Sequence, residues 1–122
     1  MGDRAVYGFR SGGGVARPTM YLYSHWGGDE QDKTLAEALE AARGRWDDPH
    51  YATRIVTSFI IGDSWQRETG YGLSVDDYAE PDYDYINVVD WDNGYVMRLD
   101  SESRDLLDSV TLGTFVARHL EG

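Results

Sequence analysis

Tyr83-Asp84-Tyr85-Ile86-Asn87-Val88-Val89-Asp90-Trp91, then Asp92-Asn93-Gly94, then Tyr95-Val96-Met97-Arg98-Leu99, is the stretch that decides the fold. Both flanks are rich in β-branched and aromatic residues, which suit a pleated, half-buried surface. Between them Asn93-Gly94 tolerates the positive φ angles that a tight hairpin turn demands. Two antiparallel strands are therefore expected here. Working outward, Arg4-Ala5-Val6-Tyr7-Gly8-Phe9-Arg10 and Thr19-Met20-Tyr21-Leu22-Tyr23-Ser24-His25 form a second hairpin across a glycine-rich loop, Ser11-Gly12-Gly13-Gly14 to Arg17-Pro18. In the second strand Met20, Leu22 and Ser24 share one face, while Tyr21, Tyr23 and His25 share the other. A further short strand is expected from Thr69 to Val75, and Asp76 to Asp82 reads as an acidic loop.

The helix signals fall between these strands. Leu35, Ala38, Leu39 and Ala42 fall on one stripe, and Thr34 with Glu37 makes a capping box, so a helix is predicted over 34–42, ended by Gly44. Asp47 or Asp48 then caps a helix from His50 to Ile61, with Pro49 in its first turn and Tyr51, Ile55 and Phe59 turned inward, joined by Ala52, Val56 and Ile60. Its β-branched content would also suit a strand; the cap decides for helix. Thr111 caps a short C-terminal helix with Leu112, Phe115, Val116, His119 and Leu120 on its inner stripe. The expected architecture is α+β: an antiparallel sheet of about five strands with two or three helices packed on one face. At 122 residues, with no repeat or linker, 1–122 is read as a single domain.

Composition narrows the function. There are 22 acids against 11 bases, a net charge of -11, which is the wrong sign for gripping a phosphate backbone, so nucleic-acid binding is not expected. The acids suit solubility, and also mimicry of a nucleic acid toward a basic partner. No cysteine is present, which excludes disulfides, thiolate metal sites and a cysteine nucleophile, and fits a reducing, cytoplasmic setting. Met1-Gly2-Asp3-Arg4 does not open a signal peptide. The longest apolar run, Phe59-Ile60-Ile61, is far from the ~20 residues of a membrane span.

Catalytic motifs are missing. There is no Gly-x-Ser-x-Gly elbow, no phosphate loop and no His-x-x-x-His pair, and the aspartates lack calcium-loop spacing, so neither a metal nor a cofactor is expected. What stands out is a set of aromatic, arginine and glycine residues at element ends. His25 and Trp26 precede Gly27 and Gly28; Arg45 and Trp46 flank the helix junction with His50 and Arg54; Thr69 and Tyr71 border Gly70; Arg4 opens the first strand. Indole stacks on a flat ring, guanidinium grips an anion bidentately, and glycine amides approach a phosphate or carboxylate. Arg54, four residues after His50 on one helix face, is the leading contact residue. Each has a plainer role open to it: Trp26 as a packed turn residue, the arginines as partners of Asp47, Asp48, Asp63 or Glu68, and Tyr71, Tyr78, Tyr83, Tyr85, Trp91 and Tyr95 as cross-strand packing or an oligomer interface.

The segments Gly2-Asp3-Arg4-Ala5, Tyr21-Leu22-Tyr23-Ser24-His25-Trp26-Gly27-Gly28, Arg45-Trp46-Asp47-Asp48, Thr69-Gly70-Tyr71-Gly72 and Val89-Asp90-Trp91 together resemble a family of small proteins encoded by tailed bacteriophages of actinobacteria. The resemblance covers most of residues 2–99 and little after Asp100. It implies a phage origin and expression in a bacterial cytoplasm, and supplies no catalytic residues. By analogy with phage inhibitors of host defence, it raises sequestration of a nucleotide-derived signal. The expectation is thus a non-enzymatic protein binding a small polar ligand, acting as a homodimer or higher homo-oligomer. Beside it stand an acidic inhibitor of a host enzyme and, behind both, a small nucleotide hydrolase using His25 or His50 with an aspartate.

Overall fold

A computed structural model describes residues 2–12, 19–77 and 80–120. The strands are β1 (Ala5–Arg10), β2 (Thr19–Ser24), β3 (Tyr71–Ser74), β4 (Tyr85–Asp90), β5 (Tyr95–Asp100) and β6 (Leu106–Thr111); the helices are α1 (Gln31–Ala41), α2 (Pro49–Ile61) and α3 (Leu112–Leu120). They make one six-stranded sheet in the order β3-β2-β1-β4-β5-β6.

The class is α+β, but the sheet is larger than expected and mixed rather than antiparallel. Both hairpins form: Tyr7 faces Leu22 across β1–β2, and Val88 faces Met97 across β4–β5. The turn between β4 and β5 is longer than a two-residue Asn-Gly turn: it runs from Trp91 to Gly94, and of its residues Gly94 alone takes a positive φ, 75°. The hairpins meet edge to edge, however, by β1 lying parallel to β4, with Tyr7 beside Asn87 and Phe9 beside Val89. Local hairpin chemistry cannot specify that joint, because the two strands are separated by β2, both long helices and β3. The sixth strand follows a turn in which Asp100 accepts hydrogen bonds from the Glu102 and Ser103 amides and Arg104 takes a φ of 64°. β6 is mostly solvent-exposed, so its sequence carries only a weak alternating signal.

The glycine-rich loop beyond Gly12, with Gly13, Gly14, Arg17 and Pro18, lies outside the described residues, as does Tyr78. One sheet face carries the helices. There Ala5, Tyr7, Phe9 and Leu22 bury against Leu35, Leu39, Ala52, Val56, Phe115 and Val116. Each fully enclosed aliphatic side chain contributes about 1.5–3 kcal/mol. The opposite face packs Val6, Ile86, Val88 and Leu99 under Tyr21, Tyr23 and Met97. Tyr21 and Tyr23 therefore do share a face away from the helices.

Three helix details differ from expectation. Asp48 holds the N-cap position of α2, but its side chain makes no cap hydrogen bond. α1 starts three residues before Thr34, after a 3-10 turn over Gly28–Glu30, and no side chain caps it. Its start is fixed by tertiary contact instead: Gly27 is left-handed, and the Gly28 amide donates to the Asp3 carbonyl at 2.9 Å. α2 is turned about its axis relative to the expected stripe. Ala52, Val56 and Thr57 are buried, while Tyr51 and Phe59 are exposed. The indole N–H of buried Trp91 donates to Thr53 Oγ1 at 2.9 Å, which helps set that rotation. In α3 the expected cap holds, with the Thr114 amide donating to Thr111 Oγ1, and Leu112, Phe115 and Val116 are buried, while Leu120, expected on the same stripe, is exposed.

Candidate functional site

The groove that brings expected residues together lies between α2 and the helix-side face of β2 and β3. It has a volume of about 420 Å³, within the usual range for small-molecule sites. Phe9, Met20, Leu73 and Val75 supply an apolar wall. His50 and Arg54, one helical turn apart at the exposed start of α2, stand on the other side with the hydroxyls of Thr53 and Thr57. Thr57 Oγ1 donates back to the Thr53 carbonyl at 2.9 Å, so its hydrogen is already committed within the helix. Neither His50 nor Arg54 takes part in an ion pair or side-chain hydrogen bond among the described residues. The result is an apolar slot with two uncommitted nitrogen-bearing side chains at one lip. It can hold a flat or aliphatic body and a negatively charged or carbonyl group.

The other expected residues are distributed elsewhere. His25, Trp26 and Tyr71 form an aromatic stack at the far end of β2. Trp26 meets His25 edge-on, with ring centres 5.4 Å apart, and Tyr71 at 6.0 Å. The His25 amide donates to the Gly70 carbonyl at 2.8 Å, and Nδ1 of its ring is 2.8 Å from the Tyr23 hydroxyl. Thr69 is exposed beside this stack. The two ends of β2 are roughly 17 Å apart at ~3.3 Å per residue, so the stack does not share the His50–Arg54 groove. Gly28 is buried, and a Cβ there would strike the Tyr83 ring and lie 2.8 Å from the Asp3 carbonyl oxygen. It serves close backbone approach, while Gly27 supplies the left-handed turn.

Arg4 grips Asp82 with two guanidinium nitrogens at 2.8 and 3.1 Å, and its amide adds a third bond. That holds the Asp82 carboxyl at about 2. Arg45 lies over Tyr51, 4.9 Å from the ring centre. Trp46 donates its indole N–H to the Leu39 carbonyl at 2.9 Å beneath Arg43. These contacts occupy the residues structurally. Trp26, Trp46 and Arg54 thus belong to three separate neighbourhoods.

Reading by motif misses a polar network at the start of α1. The Asp32 carboxylate accepts from Arg98 at 2.6 Å, from Asn87 Nδ2 at 2.7 Å and from the Tyr85 hydroxyl at 3.2 Å. Arg98 also lies over the Tyr85 ring at 3.9 Å. Burial, reinforced by Asp32, pushes the Tyr85 hydroxyl up to about 12. Because a carboxylate only accepts, Asn87 must turn its NH₂ toward Asp32. Its Oδ1 then has no hydrogen-bond partner among the described residues, nor has the buried amide of the adjacent Gln31. The sequence signal for this network is slight: polar Asn87 and Arg98 each stand between apolar neighbours in β4 and β5.

Among the described residues no group of three or more His, Asp or Glu is placed to hold a metal ion, and no helix is long and apolar enough to cross a membrane. Comparison of the chain with protein-family models, with curated proteins and with solved structures gives no match.

Proposed function

We propose that the protein binds and sequesters a small, nucleotide-derived ligand in the groove between α2 and the β2–β3 edge, without turning it over. The observation that carries this reading is the pairing of uncommitted His50 and Arg54 with an apolar wall around a cavity of about 420 Å³. A planar base packs on Met20, Leu73 and Val75, and the anionic part meets Arg54 and His50. A charge-assisted hydrogen bond adds about 1.5–3 kcal/mol. The Ser11 and Thr19 hydroxyls line the groove with His50, but no carboxylate does, so His50 has no aspartate beside it there, which favours holding over hydrolysis.

The test is isothermal titration against cyclic nucleotides and ADP-ribose-type nucleotides, with recovery of each nucleotide checked chromatographically. Saturable binding, weakened at least ~10-fold in Arg54→Ala, with the nucleotide recovered intact, is the expected outcome. Absence of heat for every member refutes the reading. So does unchanged affinity in both Arg54→Ala and His50→Ala. Recovery of cleaved nucleotide would replace sequestration with hydrolysis.

A further inference from the structure

A second cavity, of about 150 Å³, opens on the helix side of the sheet's other half, between β4–β6, the start of α1 and the end of α3. Its chemistry is sorted by position. Val96, Val110 and Phe115 form an apolar wall. Arg118 and His119, in the last turn of α3, bring cationic or hydrogen-bonding nitrogens; His119 is anchored by its ring against Phe115 at 4.5 Å. Asp108 faces Arg98 across the β5–β6 ladder. Arg98, however, is committed to Asp32 at 2.6 Å, and Asp108 has no ion pair among the described residues. Asn87, 1% exposed, lines the same cavity with its Oδ1 unpartnered.

We propose that this cavity is a separate binding site for a free α-amino acid with a small aliphatic side chain. Its carboxylate meets Arg118 and His119, where a protein of net charge -11 would otherwise repel an anion. Its ammonium meets the Asp108 carboxylate. Its side chain lies on Val96, Val110 and Phe115. Arg118 and Asp108 present opposite charges at one cavity, which a zwitterion matches at both poles and a simple anion or amine at only one. The volume fits a small amino acid and is well below that of a nucleotide, so this site is independent of the groove at α2.

The experiment is a two-dimensional ¹H–¹⁵N titration of the full chain with L-valine, and with valinamide and N-acetylvaline, which each lack one charged pole. Saturable shifts centred on Asn87, Val110, Arg118 and His119 are expected for valine, with each blocked analogue at least ~10-fold weaker. Arg118→Gln and Asp108→Asn, both at exposed positions that leave the core intact, each weaken valine by about tenfold. The proposal is overturned by any of three results: shifts that never saturate, a blocked analogue that binds as well as valine, or both variants binding valine as the unaltered protein does. Because the readout is local, failure here is distinct from failure of nucleotide binding at Arg54.

Discussion

Replacing Asp32 by alanine tests whether the network under α1 holds the sheet's second half to the helices. In the folded protein its carboxylate receives Arg98 at 2.6 Å, Asn87 at 2.7 Å and Tyr85 at 3.2 Å. Deletion leaves three donors without an acceptor, one of them on Asn87, which already has an unpartnered oxygen. Removing one member of a fully buried pair costs about 3–5 kcal/mol. Here the Arg98 and Asp32 side chains keep 34% and 22% of their exposure, so water can replace part of what is lost. The expected destabilisation is therefore about 2–3 kcal/mol, discounted from the buried-pair value. For a domain of this size that lowers Tm by roughly 8–15 °C.

Urea unfolding followed by tryptophan fluorescence gives the free energy, and calorimetry gives Tm. Glu40→Ala is the internal control: it removes an exposed ion pair with Arg43 at 2.9 Å and should change stability by less than ~1 kcal/mol. If Asp32→Ala unfolds at the same urea concentration as Glu40→Ala, the network contributes no more than a surface pair and the reasoning is wrong.

Gly70→Ala should destabilise by about 1–3 kcal/mol, because Gly70 sits at φ 104° and a Cβ there would run into the Trp26 indole. Its signature is an altered Trp26 environment in near-UV circular dichroism, and a folded-state spectrum identical to the unaltered protein would contradict the packing. Acid should loosen the segment around Asp82. The Arg4 guanidinium and amide hold that carboxyl at about 2, below its ordinary 3.8, so its contribution is complete above pH ~4 and is lost as pH falls through about 2. Asp77, lowered by Arg104, adds to the same loss in acid. Asp82→Asn should flatten the dependence of urea midpoint on pH between 4 and 2, and an unchanged slope would show that Arg4 does not act through this carboxylate.

The local elements were legible in the residues themselves. Gly94 supplies the left-handed residue that ends its hairpin turn, and Pro49 after Asp48 marks the start of α2 in the first turn. Thr111 likewise announces α3. Each such signal lives within a few residues of the feature it sets. His50 and Arg54 were also readable as a pair, since one helical turn separates them on a single face whatever the rest of the chain does.

Other features depend on partners remote in the chain. The parallel β1–β4 joint, the start of α1 on the Asp3 carbonyl and the rotation of α2 are set by contacts spanning tens of residues. The dispersal of Trp26, Trp46 and Arg54 into separate neighbourhoods has the same origin, because composition can place aromatics at element ends without saying which ends meet. The Asp32 network is the clearest case. No spacing rule links Asp32, Asn87 and Arg98, and only the stacking of α1 over β4 and β5 brings their charges within hydrogen-bond reach. Sequence by itself determined the hairpins, the helices and the α+β class, because backbone preference and periodicity are local. Tertiary structure alone decided which side chains face a common cavity, since that depends on how the sheet is assembled.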